Sequence, residues 1–344
     1  MIIHIVGARP NYVKAAPVIR ELDGKNKKQL VINTTQHFSD SMSKDIMQSV
    51  DMKDPDVWLE PCKGTPVERL SHIMTELDNI FAERKPEIVI VYGDVDSTVA
   101  GAIVAKKHDC ILAHVESGLR SHDNKMPEEL NRKMVDEISD ILFVTEHSAL
   151  ETLQEKENVC FVGNTMIDSL VHVQKKGLLC ERERSHILFT CHRPSNVDNK
   201  KSLCKILDAF DNVNNKIVWP MHPRTKSRLV EFDLWQRVCE NKNIEIHEPL
   251  NYTDFLKMVC KSIMVITDSG GVQEETTFLQ VPCITIRENT ERPSTIIFGK
   301  NKLCGLDSIL TEIENVDQHE KRFVPPLWDG KASERLVNYL DHLC

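Results

Sequence analysis

Short apolar runs rich in Val and Ile alternate with longer stretches of helical periodicity along almost the whole chain. In the first half the runs predict strands at Ile2–Val6, Leu30–Asn33, Ile88–Tyr92, Ile111–His114, Ile141–Val144 and Cys160–Val162. In the second they predict strands at Ile187–Thr190, Ile217–Pro220, Ile244–Ile246, Met264–Thr267 and Cys283–Ile286. Continuous rather than alternating apolar character marks strands buried on both faces, as in parallel sheets covered by helices. Strand and helix in regular succession give βαβ units with right-handed crossovers. The pattern runs once to about residue 168 and restarts after the polar stretch Lys175–Ser185. The expected fold is therefore α/β, with two doubly wound Rossmann-like domains at residues 1–168 and 169–330. A last helical pattern, Ala332–His342, predicts that residues 331–344 pack back on the first domain.

Composition narrows the function. The 344 residues suit two domains better than one, and 41% hydrophobic residues suffice for two cores. A formal net charge of −9 argues against nucleic acid or an anionic membrane as partner. Any bound anion must be held by local cations and backbone N–H groups. The eleven cysteines show no C-x-x-C pair, which reads as reduced thiols of a cytoplasmic protein with no disulfide framework and no metal site. MIIHIVGARP opens directly into a strand, without the marks of a signal peptide. No run approaches the roughly 20 apolar residues that span a bilayer, so a soluble protein is expected.

In open parallel sheets, ligands bind at the carboxyl ends of the strands. The residues there are Gly7-Ala8-Arg9-Pro10 with Lys14, Gly93-Asp94-Val95-Asp96, Glu116-Ser117-Gly118 and Met126-Pro127-Glu128-Glu129. The second half adds Cys191-His192-Arg193-Pro194, Met221-His222-Pro223-Arg224, Asp268-Ser269-Gly270-Gly271 and Thr290-Glu291-Arg292-Pro293. Ser269, Gly270 and Gly271 let a backbone approach an anion at a helix N-terminus, although Asp268 or Ser269 could equally serve as a plain N-cap. Arg9, Lys14, His192, Arg224 and Arg292 are the cations available to a diphosphate. Asp94, Glu116 and Glu128 come from neighbouring strand ends or a helix start, where convergent carboxylates suit proton transfer. A cap for Asp94, surface pairing for the glutamates or dipole complementation by Glu128 is the bland alternative. His4 reads as a core histidine, His114 and His222 are ambiguous between core and site, and Trp58, Trp219, Trp235 and Trp328 read as core residues.

Taken in order, GARPNYVKAAP, TTQHF, VYGDVDST, HVESGLRS, MPEELNR, VGNTMID, CHRPSNVD, MHPRT, TDSGGVQEE and ENTERP resemble the non-hydrolysing UDP-N-acetylglucosamine 2-epimerases, from about residue 3 to residue 299. The resemblance implies the two-domain architecture of GT-B nucleotide-sugar glycosyltransferases, with the active site in an interdomain cleft. It implies interconversion of UDP-GlcNAc and UDP-ManNAc, or of a related UDP-2-acetamido sugar, without a cofactor. By the same likeness the diphosphate lies near Arg9, Ser269, Gly270 and Gly271, the ribose hydroxyls at Glu275, and uracil along His247–Leu250, including Glu248. Asp94, Glu116, Glu128 and His192 match the acid–base positions. Lys14 and Arg292 match positive ones, and His222 is a further substrate contact. Gln36 and His37 keep part of a pattern that, in bacterial members, belongs to a second, activating UDP-sugar site.

The sequence departs from better-known members at Asn11, where many carry Glu, and at Asp96 and Ser117. None of these removes a catalytic position. A GT-B glycosyltransferase using a UDP-sugar donor is the alternative function; it would need an acceptor site and gives the three carboxylates no task. A hydrolysing epimerase and a non-catalytic UDP-sugar sensor are further readings. A homodimer is the expected assembly.

Overall fold

The computed structural model describes residues 1–35, 40–179, 183–315 and 323–342. Gln36 and His37 lie outside the described residues. The chain divides into two compact units, Met1–Val173 with Pro326–Cys344, and Gln174–Pro325.

The first unit carries a seven-stranded parallel sheet. Its strands are β1 (Ile2–Val6), β2 (Gln29–Asn33), β3 (Val57–Trp58), β4 (Ile88–Tyr92), β5 (Ile111–Ser117), β6 (Ile141–Val144) and β7 (Val159–Phe161). They lie in the order β3-β2-β1-β4-β5-β6-β7, so the direction of winding reverses between β1 and β4. Ile3, Ile5, Val89, Val91 and Leu112 pack with Leu77 and Phe81 of the helix Pro66–Arg84. That helix begins on a reciprocal cap: Thr65 accepts from the Glu68 N–H at 3.2 Å, and Glu68 accepts from the Thr65 N–H at 2.7 Å. His4 is a core histidine, as expected, held between the Tyr92 hydroxyl (2.7 Å) and the Gln29 amide (2.8 Å). Burial pushes its imidazole down to about 4.

The second unit repeats the scheme with β8 (His186–Thr190), β9 (Ile217–Pro220), β10 (Ile244–His247), β11 (Ser262–Thr267), β12 (Cys283–Ile286) and β13 (Asn301–Cys304). All are parallel, in the order β10-β9-β8-β11-β12-β13, with the reversal between β8 and β11. Both faces are covered. Ile187 and Phe189 enter one cluster with Phe210 and Trp219, whose rings sit 4.8 and 4.6 Å from that of Phe189. Leu188, between them, enters another with Val259 and Val281. This two-sided burial is why the strand reads as an unbroken apolar run.

The eleven expected strands are present, and β3 and β13 join them at sheet edges. Trp219 and Trp328 are buried, but Trp58 is not the core residue expected: on the two-residue edge strand β3 it is 39% exposed. The helix Ala332–Asp341 belongs to the first unit. Asp168 accepts from the N–H groups of Ala332 (3.1 Å) and Ser333 (2.6 Å), placing a carboxylate at the helix's N-terminus. The Trp328 indole donates to the Thr145 carbonyl at 2.9 Å. Among the described residues, no helix is long and apolar enough to cross a membrane.

Candidate active site

The carboxyl ends of β1, β4 and β5 gather most of the charged residues that the motifs single out in the first unit. Gly7 follows β1 where any side chain would collide with Thr34 and Ser97. Asn11 ties two strand ends together: its carbonyl accepts from the Gly7 and Ala8 N–H groups (3.2 and 3.0 Å), and its amide donates to the Tyr92 carbonyl at 2.9 Å. Arg9 starts the helix that carries Asn11, half-buried.

One helical turn on, Lys14 is buried and its ammonium lies 2.6 Å from Glu116 Oε2. Glu116 is buried too and sits at a bulge where the β5–β6 register slips between Val115 and Ser117. Its φ of +74° places a non-glycine residue in the left-handed region. Such backbone strain persists only where the surroundings enforce it, and it gathers at functional sites. Asp94 follows Gly93 (φ +66°) and pairs with Arg132. A side chain at Gly93 would meet the Lys14 ammonium at 3.0 Å, so the two charged pairs adjoin one turn.

A buried cluster stands behind this turn. His114 contacts Asp136 Oδ1 through Nδ1 and the Gly93 carbonyl through Nε2, both at 2.8 Å. Asp136 Oδ2 also accepts from Arg120 (2.6 Å) and the Gly118 N–H (3.1 Å). The motif reading left His114 ambiguous and missed Asp136. The available signal was the spacing of Glu129, Arg132 and Asp136, which puts three charged side chains on the buried face of the helix Pro127–Ile138. Glu128, by contrast, is exposed at the start of that helix.

In the second unit the helix Gly270–Phe278 follows β11 with Ser269 as N-cap residue, and Ser269 makes no side-chain cap hydrogen bond. A side chain at Gly270 would press on the Arg292 guanidinium and on Glu291. Arg292 is buried and ion-paired, 3.0 Å from Glu274 through Nε and closer still to Glu291 through Nη1. Glu275, on the same helix, is buried, and loss of hydration pushes its carboxyl up to about 8; the charge of Glu274 adds to the rise.

Beside this helix, His192 sits at the end of β8, with Nδ1 3.1 Å from Asp268 Oδ1 and its ring 5.4 Å from that of His222. His222 caps the helix Pro223–Glu231 by accepting from the Arg224 N–H at 3.2 Å. Arg224, counted among the available cations, is paired with Asp198 through Nε at 3.0 Å. Glu248 is exposed and lies 3.4 Å from the Lys226 ammonium.

The pattern is thus two separate sets of strand ends. One holds opposite charges in pre-formed pairs, and the other holds a glycine-bearing helix start. Residues 20–341 match the sequence profile of the UDP-N-acetylglucosamine 2-epimerases. The chain belongs to this family. It is 36% identical to the UDP-N-acetylglucosamine 2-epimerase of Methanocaldococcus jannaschii, with 98% of each chain aligned. It is 31% identical to the UDP-2,3-diacetamido-2,3-dideoxy-D-glucuronate 2-epimerase of Pseudomonas aeruginosa, with 99% of each aligned. The crystal structure of the M. jannaschii enzyme in complex with UDP-GlcNAc and UDP matches with a TM-score of 0.92 over 99% of both chains. A calicheamicin glycosyltransferase, 12% identical with a TM-score of 0.61 over 99% of this chain and 97% of its own, shares the fold alone. The family's enzymes are UDP-sugar 2-epimerases, which are isomerases, and the GT-B-like architecture expected from the motifs is the one found.

Proposed function

We propose that this chain interconverts UDP-GlcNAc and UDP-ManNAc, or a closely related UDP-2-acetamido sugar, by anti-elimination of UDP and re-addition. The observation that carries the reading is the pair of buried or half-buried carboxylates, Glu116 beside Lys14 and Asp94 beside Arg132, on adjoining strand ends. The relatives' names support a 2-acetamido sugar, and the P. aeruginosa relative, acting on a diacetamido uronate, keeps the choice of sugar within that class.

The chemistry follows from the substrate. The hydrogen at C2 lies beside an acetamide nitrogen, not a carbonyl, and is not acidic in the ground state. Departure of UDP from C1, with the electrons of the C1–O bond, leaves an oxocarbenium-like centre that acidifies C2. A carboxylate takes that proton and a 2-acetamidoglucal remains. Protonation at C2 from the opposite face and return of UDP to C1 complete the epimerisation. No electrons leave the system, so no redox cofactor is called for.

In this reading the second unit holds UDP. The N-terminus of the helix Gly270–Phe278, with Ser269, Gly270 and Gly271, cradles the diphosphate, Glu275 holds the ribose, and Glu248 lies near uracil. Arg292 supports the cradle from behind Gly270. Arg9 is the added cation, and His222 a substrate contact. Asp94, Glu116 and Glu128 share the proton transfers with His192, and Lys14 sets the charge around Glu116. The first unit comprises the acid–base domain with its C-terminal helix, and the enzyme works as a cytoplasmic homodimer. A glycosyltransferase would leave the Glu116 and Asp94 pairs without a task.

The reaction is tested in D2O. The UDP-sugar gains deuterium at C2 as its epimer appears, followed by NMR. Asp94→Asn, Glu116→Gln and Glu128→Gln each slow the exchange by at least a hundredfold while UDP affinity stays within about threefold, since only transition-state interactions are removed. Epimer that keeps its original C2 hydrogen would sink the mechanism.

A further inference from the structure

Asp268 follows β11, one residue before the helix cap, yet its side chain turns to the end of β8. Its Oδ2 accepts from the N–H groups of His192 (3.0 Å) and Arg193 (2.8 Å), from the Asn196 amide (3.1 Å) and from Cys191 Sγ (3.1 Å). Its Oδ1 faces the His192 N–H at 3.2 Å and the His192 ring nitrogen Nδ1 at 3.1 Å. Asn196 also donates to the Ile286 carbonyl at 3.2 Å, so the carboxylate is braced against a third strand end, that of β12.

The side chain of Asp268 is fully buried. Burial alone would raise its carboxyl, but His192 and the N–H of Arg193 hold it far below the usual range. An ionised carboxylate only accepts hydrogen bonds, so at this contact the ring nitrogen is the donor. Neutral His192 therefore carries its proton on Nδ1 and its lone pair on Nε2. The His192 side chain is 43% exposed while Nδ1 faces a buried oxygen, so the open edge of the ring is the one bearing Nε2. The titratable groups facing the pair among the described contacts are the Cys191 thiol, 3.1 Å from Asp268 Oδ2, and the His222 ring, 5.4 Å from that of His192.

We propose that Asp268 is a positioning residue for the reaction: it locks the ring angle and the Nδ1–H form of His192, so that Nε2 is the nitrogen that exchanges a proton with the substrate. The proposal rests on His192 taking part in the chemistry, as read above. The backbone contacts of Asp268 fix the loop by themselves; the contact to the ring nitrogen is the one that selects a tautomer. A buried carboxylate behind a histidine does this wherever one ring nitrogen must be kept free for chemistry.

The test uses ring 15N NMR, steady-state kinetics and UDP binding on the full chain, for the parent, Asp268→Asn, His192→Ala and the double variant. The parent is expected to show a protonated Nδ1 and an unprotonated Nε2 in neutral His192. Asp268→Asn should lose that pattern and lower kcat at least a hundredfold, with UDP affinity within about threefold. The double variant should be no slower than His192→Ala, because both changes remove one device. An Nε2–H ring in the parent would overturn the proposal even if Asp268→Asn failed to fold. So would losses that multiply in the double variant, or a fall in UDP affinity matching the fall in turnover, either of which would make Asp268 a loop scaffold only. Full turnover by His192→Ala would instead remove the histidine from the reaction, and the parent's ring spectrum would still report whether Asp268 sets its tautomer.

Discussion

The two sheets wind alike but close their reversal points by opposite means. Between β1 and β4 the Asn11 amide bridges the strand ends, and beside it charges pair with charges: Lys14 with Glu116, and Asp94 with Arg132 nearby. Between β8 and β11 a lone carboxylate, Asp268, is surrounded by N–H groups and a ring nitrogen. An ion pair out of water is held by mutual attraction, so each partner depends on the other. A carboxylate fed by backbone donors depends on the shape of the loop. In the proposed reaction the first arrangement keeps basic and acidic groups close at hand for moving protons. The second uses its negative charge to organise backbone, and keeps the neighbouring helix start free of a side-chain cap.

The largest stability effect is expected where the pairing is most mutual. Lys14→Met leaves Glu116 without its ammonium in a buried place and should cost about 3–5 kcal/mol in urea unfolding. Adding Glu116→Gln should return part of that loss. A Lys14→Met protein as stable as its parent would show that the pair is not what holds this corner. In the second unit the equivalent disturbance acts on ligand more than on fold. Gly271→Val should weaken UDP at least tenfold, about 1.4 kcal/mol, by titration calorimetry; unchanged affinity in the folded variant would move the diphosphate elsewhere.

A pH slope distinguishes two carboxylates of one unit. Glu275, raised to about 8, binds a proton in the folded chain that the unfolded chain releases near its ordinary 4.5. Stability must then fall as pH rises from that value through about 8. Asp268, lowered, acts with the opposite sign: its contribution is present above the ordinary aspartate value and lost only as pH falls through its own. Thermal melts between pH 5 and 9 should therefore decline in the parent and run flatter, by several degrees at the alkaline end, in Glu275→Gln. Parallel curves for the two proteins would mean that Glu275 is ionised throughout.

Strands buried on both faces were legible because burial on two sides leaves no room for polar alternation, as Ile187, Leu188 and Phe189 show. The strand β13 was not, because only Cys304 of its two buried residues is apolar; the other, Asn301, trades hydrogen bonds with Thr285, Thr295 and Gln273. Its burial is compensated by partners that are distant or unremarkable in sequence. The two-residue β3 has no pattern long enough to register. The strand-end rule located the charged loops, but it could not say who pairs with whom. That Lys14 meets Glu116, 102 positions away, is a property of the β1-β4-β5 order and not of any motif. Local spacing left Asp268 open as a helix cap alongside Ser269; only the adjacency of β8 and β11 shows that it faces His192 instead.

The return of residues 326–344 to the first unit has a consequence for how the protein is made. As the chain leaves the ribosome, residues 174–325 contain everything their own sheet needs and can close as a body of their own. The unit begun first is completed last. Until Trp328, Ala332 and Ser333 arrive, Asp168 lacks the donors that satisfy it and the Thr145 carbonyl lacks its indole partner. The nascent protein thus passes through a stage in which its later half is finished while its earlier half still waits for a clasp. A message cut short just before Trp328 would yield that half-built form as an end product.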